Sequence, residues 1–140
     1  MKQIFTLLLF CITLLAKTIT ITHIHDGDTI VILTEQNEQV KVRLHGINAP
    51  ELKKPYGKAA KKHLMKLTKK GVIELKIKGF DKYNRTLGVL YKGTQDLNAK
   101  MVQDGYAKAY TRFSKDYVKE QKEAKKSQTW DVAKTLIFKV

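Results

Sequence analysis

The sequence predicts an α+β domain built on a five-stranded Greek-key β-barrel with about three helices. Five short runs of residues have the period-two alternation or the β-branched character of strands. A stretch with an apolar stripe at helical spacing lies between the third and fourth runs, and two further helical stretches follow the fifth. A chain of 140 residues is long enough for one such core and too short for two.

The first three predicted strands follow one another closely. Residues 17–25 alternate apolar and polar side chains, and residues 29–33 form a dense β-branched run after a break at Gly27. In residues 40–44, three apolar side chains alternate with two basic ones. If the apolar side chains face the core, Arg43 must face out of it.

A helix and a hairpin complete the predicted barrel. The helix covers residues 55–70, with lysines on one face and Gly71 at the position of a helix stop. Its apolar stripe consists of Tyr56, Ala59, Ala60, His63, Leu64 and Leu67. The last two strands are residues 72–77 and 86–91, and Asn84 in the bend between them suits a left-handed turn position.

Two more helices are predicted after the barrel. Residues 97–104 form a short one. The last helix is predicted to begin at Ser114, a favourable N-cap, with Phe113 and Val118 placed as a hydrophobic staple, and to run to about residue 128. Five strands with a helix between the third and fourth are typical of the partly open oligonucleotide/oligosaccharide-binding (OB) barrel.

The N-terminal residues have the character of an export signal. Lys2 precedes an apolar run over residues 4–15, and the small residue Ala16 follows it. The run is short for a membrane span, but the pattern before Ala16 is imperfect for cleavage, so a signal peptide over residues 1–16 and an uncleaved anchor both stay open. We predict an exported protein, periplasmic, secreted or membrane-anchored, with residues 17–140 as its single domain.

The chain is strongly basic. It has 27 Lys and Arg against 13 Asp and Glu, a formal net charge of +14, and only Lys2 of these lies in residues 1–16. Such a surplus attracts polyanions, of which nucleic acid is the commonest. Anionic membranes, cell-wall polymers and a merely solvated lysine face compete with that interpretation. The net charge therefore indicates that a partner would be anionic, but it does not indicate which kind of molecule the partner is.

Two segments hold the residue types of a phosphate-hydrolysing site. Asp26-Gly27-Asp28-Thr29 separates the first two strands, and Arg43 to Glu51 follows the third. Hard oxygen ligands, a guanidinium group and a carboxylate near the attacking water are what a one-cation phosphodiester site needs. The bend Asp81-Lys82-Tyr83-Asn84-Arg85 adds a second arginine.

Each piece also has a simpler interpretation. Asp-Gly is a frequent hairpin turn, an exposed strand arginine is often a surface residue, and Glu51 suits the start of a helix. A zinc site of the His-x-His-x-Asp-His kind that used His23 and His25 would need Asp at position 27 and His at position 28, and the chain has Gly27 and Asp28 there. Oxygen ligation by Asp28 suits Ca²⁺ or Mg²⁺ instead.

Taken together, these segments resemble the thermonuclease (staphylococcal nuclease-like) family in order and spacing over about residues 17–130. The matching positions are Asp28, Arg43, residues 46–51, residues 81–85, Asn98 and Gly105-Tyr106-Ala107. The resemblance implies a Ca²⁺-dependent phosphodiesterase that acts on DNA and RNA and is built on an OB barrel.

The resemblance also implies a set of metal ligands. By position they are the Asp28 carboxylate, the Asn48 side chain and the Ala49 main-chain carbonyl. The family usually has Asp where this chain has Asn48, so one negative charge is missing and we expect weaker Ca²⁺ binding than in a two-carboxylate site.

The remaining site residues are likewise carried over by position. Glu51 resembles the residue that holds or deprotonates the attacking water, and Arg43 and Arg85 resemble the two guanidinium groups that clamp the phosphate. Two planar five-donor cations can neutralise a phosphate bidentately, which lysine cannot do. The positions that contact the bound nucleotide are Lys82, Tyr83 and Tyr110.

The sequence therefore predicts an exported Ca²⁺-dependent, sequence-nonspecific nuclease. We expect a monomer without an obligate protein partner that prefers single-stranded or locally unpaired DNA and RNA. The alternative is a non-catalytic OB-fold nucleic-acid-binding protein with a degraded metal site, which Asn48 would mark. The presence of both arginines together with Glu51 argues against it, because phosphate binding alone does not require that carboxylate.

Overall fold

The computed structural model of the protein describes residues 16–127. The predicted leader, except for Ala16, and the predicted end of the last helix at residue 128 lie outside this part of the chain. Within it, no helix is long and apolar enough to cross a membrane.

The predicted α+β class is confirmed, with a small difference in the strand count. The strands are β1 Lys17–Thr18, β2 Thr20–Asp26, β3 Thr29–Leu33, β4 Gln39–Leu44, β5 Ile47–Asn48, β6 Glu74–Phe80, β7 Thr86–Lys92, β8 Gln95–Asp96 and β9 Lys108–Ala109. Only β2, β3, β4, β6 and β7 have five or more residues within the described part. These are the five predicted strands, and the others are two-residue pairings around them.

The main sheet closes on itself. Its strand order is β1-β6-β7-β4-β3-β2, and only Ile19 separates β1 from β2 along the chain. The same N-terminal stretch therefore pairs with β6 at its start and with β3 further on, as a barrel requires. The strands β4 and β7 pair in parallel, with Arg43 opposite Leu87.

Three helices accompany the barrel: α1 Gly57–Thr68, α2 Leu97–Gln103 and α3 Val118–Lys126. The predicted stripe on α1 faces the core, since Ala60 and Leu64 are fully buried. The Asp96 carboxylate caps α2 by accepting a hydrogen bond from the Ala99 N–H. The left-handed conformation predicted for Asn84 is also present, with φ 61°.

The predicted start of the last helix is wrong. Helix α3 begins at Val118, and Ser114 lies in the preceding turn, where its hydroxyl accepts a hydrogen bond from the Asp116 N–H. The predicted staple partner Phe113 is 69% exposed and packs edge-on against Tyr110. The buried Tyr117, whose hydroxyl donates to Asp96, lies at the N-cap position instead. A tertiary contact thus replaces the local capping signal.

A buried amide ties the segment after β4 to the barrel. Asn98 is fully buried, and its side-chain oxygen accepts from the Leu90 N–H. Its side-chain nitrogen donates to the carbonyls of His45 and Gly88. All three bonds satisfy groups that would otherwise be costly to bury, and they fix the course of the chain where it leaves the arginine-bearing strand.

Candidate active site

The turn between β2 and β3 brings three parts of the chain together. A Cβ atom on Gly27 would lie 2.7 Å from the Cβ of Ala49 and 2.8 Å from the Cβ of Ala60. The missing side chain therefore lets the turn, the loop after β5 and helix α1 make close contact. Asp26 shapes the same turn, because its carboxylate accepts a hydrogen bond from the Asp28 N–H at 3.0 Å.

Asp28 is the centre of a cluster of polar contacts. One carboxylate oxygen accepts from the Thr29 hydroxyl at 3.0 Å, and the other accepts from the Ala49 N–H at 2.7 Å. An Arg43 guanidinium nitrogen lies 3.3 Å from that second oxygen. The same nitrogen lies 3.4 Å from the side-chain oxygen of Asn48. The structure therefore brings Asp28, Arg43, Asn48 and Ala49 into direct contact.

The Asp28 carboxylate is held in an environment that disfavours its own charge. Asp28 is only 5% exposed. The pKa of its carboxyl is raised to about 6, mainly by burial; Arg43 lowers this pKa, the neighbouring Asp26 carboxylate raises it, and the Ala49 N–H lowers it. A buried carboxylate of this kind gains from any cation that comes into contact with it.

The donors of this cluster fit a hard cation. The Asp28 carboxylate, the Asn48 amide oxygen and the Ala49 carbonyl are oxygen ligands of the type that Ca²⁺ takes, with waters completing the shell. The described residues contain no group of three or more His, Cys, Asp or Glu side chains arranged around a metal position. The site therefore resembles a low-charge oxygen site and not a carboxylate cage or a zinc centre.

Glu51 lies near this cluster along the chain but does not touch it. Its Cα is two residues beyond Ala49 and so at most about 7 Å from it. Its main-chain carbonyl accepts from the Lys54 N–H and packs against Gly57, where a Cβ would overlap it. The Glu51 side chain is exposed and makes no hydrogen bond or ion pair with another described residue.

The second arginine is oriented by its own turn. One oxygen of the Asp81 carboxylate accepts from the main-chain N–H groups of Tyr83 and Arg85, each at 2.9 Å. The other oxygen lies 2.6 Å from the Arg85 Nε. The guanidinium stands beside the Tyr83 ring, with its central carbon 5.7 Å from the ring centroid. Within residues 16–127, Nε is the one guanidinium nitrogen of Arg85 that makes a hydrogen bond, so its terminal nitrogens have no partner in this part of the chain.

A cleft of about 550 Å³ joins the two arginines. The parallel pairing of β4 with β7 places Arg43 opposite Leu87, and Arg85 directly precedes β7. Five predicted site residues line the cleft: Arg43, Lys82, Tyr83, Arg85 and Tyr110. Arg43 belongs to both the cleft and the Asp28 cluster, so the two are continuous.

The cleft also contains residues that the sequence analysis did not identify. They are His45, Phe80, Arg112 and Phe113. The basic-aromatic alternation of Tyr110-Thr111-Arg112-Phe113 was an available signal, because nucleic-acid sites often interleave the two residue types. His45 carried no such signal, since its ion pair with Asp116 at 3.1 Å joins positions 71 residues apart.

Comparisons with known proteins agree with this geometry. The sequence model of the family described as "Staphylococcal nuclease homologue" matches residues 41–133. An uncharacterized endonuclease of Haemophilus influenzae is 39% identical over 131 residues, 88% of this chain and 74% of the relative. A micrococcal nuclease of Shigella flexneri is 38% identical over 68% of this chain and 59% of its own length. A thermonuclease of Staphylococcus intermedius is 36% identical over 74% of this chain and 68% of its own.

Proposed function

Because the chain belongs to the staphylococcal nuclease family and is a phosphodiester-hydrolysing nuclease, we propose a more specific activity for it. It is an exported, Ca²⁺-dependent, sequence-nonspecific endonuclease that acts on DNA and RNA. The observation that carries this proposal is the double role of Arg43. Its guanidinium contacts Asp28 and Asn48 and also lines the cleft that contains Arg85.

The oxygen cluster is proposed to hold the metal ion. Asp28, Asn48 and the main-chain carbonyl of Ala49 are its ligands. Bound Ca²⁺ supplies Lewis-acid charge beside the phosphate and orients a water molecule. Asp28 would be the one carboxylate among these ligands, and Asn48 and Ala49 would add neutral oxygens.

The chain's own side chains supply the rest of the reaction. Arg43 and Arg85 bind the non-bridging phosphate oxygens, where negative charge increases in the transition state. Glu51 accepts a proton from the attacking water. Its exposed side chain reaches the phosphate by a change of rotamer, because its main chain is already close to Ala49. The proton leaves the water as the new P–O bond forms and the bond to the leaving oxygen breaks. The leaving oxygen takes up a proton from solvent and departs as an alcohol.

An unpaired nucleotide suits the cleft best. The aromatic rings of Tyr83 and Tyr110 lie beside the guanidinium groups of Arg85 and Arg43, at 5.7 and 5.9 Å from ring centroid to guanidinium carbon. Stacking on aromatic rings requires a base that is free of its complementary strand. We therefore propose a preference for single-stranded or locally unpaired substrate and action as a monomer.

The second candidate function is nucleic-acid binding without cleavage. Two observations favour it: Asn48 stands where a charged ligand would be, and the Glu51 carboxylate makes no hydrogen bond with the Asp28 cluster.

Cleavage assays separate nuclease activity from binding without cleavage. We expect the purified protein to hydrolyse labelled single-stranded DNA and RNA with Ca²⁺ and not with a chelator, and to hydrolyse duplex DNA more slowly. Binding of the same oligonucleotides without any Ca²⁺-dependent product would support the binding module.

The variant Asn48→Asp is expected to bind Ca²⁺ more tightly than the wild-type protein. A second carboxylate adds a full negative charge beside Asp28, and ligand charge is a main determinant of Ca²⁺ affinity. Calorimetric titration of both proteins measures the difference, and Asn37→Asp, an exposed turn position, controls for net charge. Equally tight binding by wild type and Asn48→Asp would contradict the assignment of Asn48 as a ligand.

A further inference from the structure

A second large depression lies between helix α1 and strand β2. This groove has a volume of about 990 Å³, at the upper end of the roughly 300–1,000 Å³ typical of ligand sites. One wall is formed by β2 residues Ile21 to Ile24, and the other by the outer face of α1. None of the predicted site residues lines it, so the proposed reaction does not account for it.

The charge along the groove has a single sign. Four lysines line it, Lys61, Lys62, Lys66 and Lys69, and no Asp or Glu is among its lining residues. The first three lysines lie on α1, and Lys69 directly follows the helix. At 1.5 Å per residue, the four lysines extend over about 12 Å along the helix axis. None of these lysines forms an ion pair with a carboxylate in residues 16–127. A row of such cations beside an open groove attracts an extended polyanion.

The Asp104 carboxylate, which contacts a residue of the groove, is paired with Lys100. His63, a lining residue, has its Nε2 2.7 Å from an Asp104 oxygen, and Lys100 lies 2.6 Å from the other oxygen. The Tyr106 ring, which also lines the groove, stacks on His63 with 4.0 Å between ring centroids. The groove thus has an aromatic surface beside its lysines, a combination that binds single strands without sequence preference.

The groove lies on the two elements that meet at the turn before Asp28. Strand β2 forms its wall at His23 and Ile24 and then ends at Asp26, two residues before Asp28. At about 3.3 Å per residue, Asp28 lies roughly 16 Å along the chain from His23. Helix α1 meets the same turn, because Ala60 packs against Gly27. The strand and the helix that form the walls of the groove therefore both reach the turn that carries Asp28.

We propose that this groove binds the sugar-phosphate backbone of an unpaired nucleic-acid strand that flanks the nucleotide in the cleft. The inference rests on the proposed function and extends it, because it assigns the protein a binding site several nucleotides long with two separate parts. The cleft takes the reacting phosphate and its base. The four lysines take phosphates on one side of it, which fits the roughly 4–16 nucleotides that an OB fold covers.

The test compares ligand lengths in the presence of a chelator, so that binding is measured without hydrolysis. The ligands are a dinucleotide, which fills only the cleft, and a single strand of about 12 nucleotides. In the groove variant, Lys61, Lys62, Lys66 and Lys69 are all replaced by Gln. In the matched control, Lys41, Lys119, Lys122 and Lys126, exposed lysines outside both depressions, are replaced by Gln. Fluorescence anisotropy gives each dissociation constant over a range of salt concentrations.

We expect the groove variant to lose affinity for the long strand at least tenfold more than the control does. If all four phosphate contacts disappear, the slope of log affinity against log salt should become shallower by about 3, at roughly 0.7 per contact for a single strand. Dinucleotide affinity should be the same in wild type and groove variant. Circular dichroism melting of both variants verifies that they fold.

Four results would overturn the inference. Equal losses in the two variants would show only an effect of net charge. Equal affinity of the wild-type protein for both ligands, with cleavage intact, would contradict the groove and leave the proposed function standing. If the groove variant lost binding to phosphatidylglycerol vesicles but bound the long strand as the wild type does, the groove would be assigned to a membrane surface. A wild-type protein that neither binds nor cleaves any oligonucleotide would contradict the proposed function as well.

Discussion

Replacing Arg85 with alanine is expected to lower kcat by about 10²- to 10³-fold, the usual cost of one lost donor to a charged transition state. The Arg85 side chain is 40% exposed and its one ion pair is with Asp81, so the fold should survive the change. Arg43→Ala should have at least as large an effect, because Arg43 also contacts Asp28 and Asn48. Steady-state kinetics on a labelled oligonucleotide at saturating Ca²⁺ measure both.

The chain offers a matched control for this experiment. Lys41 lies two residues before Arg43 on the same strand and the same face, and it is exposed. Lys41→Ala should retain the wild-type kcat. Arg85→Lys distinguishes a requirement for positive charge from a requirement for the planar guanidinium group. We expect its kcat to be closer to that of Arg85→Ala than to that of the wild type. A wild-type kcat in the Arg43→Ala/Arg85→Ala double variant would contradict the proposal that these two guanidinium groups bind the phosphate.

The second large effect is expected from Asp28→Asn, which should abolish both the proposed Ca²⁺-dependent hydrolysis and the rise in melting temperature that we expect Ca²⁺ to produce in the wild-type protein. Asp28 is the one carboxylate among the proposed ligands, so its replacement leaves only neutral oxygens. A ligand that binds the folded state stabilises it by mass action, and without a site this stabilisation disappears. Thermal unfolding with and without Ca²⁺ provides a readout that does not depend on activity.

The raised pKa of Asp28 adds a pH dependence to the same prediction. A proton and a Ca²⁺ ion compete for this carboxylate. With a pKa of about 6, the folded protein keeps the proton at pH values where an ordinary Asp has lost it. We expect Ca²⁺ affinity to be constant above about pH 7 and to fall about tenfold for each pH unit below 6. Affinity that stays constant down to pH 4, or a Ca²⁺-induced melting shift that persists in Asp28→Asn, would contradict the ligand role. Glu38→Gln, an exposed carboxyl change, serves as the control.

The sequence was informative where local patterns and long-range structure agree. Alternation along β4 correctly placed Arg43 outside the core, and Gly27 and Asn84 marked real turns. The resemblance to the family implied that Asp28, Asn48 and Ala49 belong together, and the turn and the strand end that carry them were visible as local features. The order of the five main strands was predictable for the same reason, because each has its own apolar pattern.

The sequence was less informative where a contact between distant residues decides the structure. Helix α3 begins after Tyr117 because that side chain reaches Asp96, and no local signal at Ser114 reveals this. The cleft depends on the parallel pairing of β4 and β7, which brings residues of the 43 and 85 regions together. The orientation of the Glu51 side chain depends on an exposed rotamer, which local sequence does not determine.

The central claim is that the Asp28 cluster and the arginine-lined cleft form one site, joined at Arg43. Ca²⁺ affinity measured with and without a nucleoside bisphosphate tests it most directly. A shared site predicts that the nucleotide raises Ca²⁺ affinity, within the roughly 5- to 150-fold range of typical coupling, and that Ca²⁺ raises nucleotide affinity by the same factor. Identical Ca²⁺ affinities in the two titrations, with the nucleotide demonstrably bound, would contradict it.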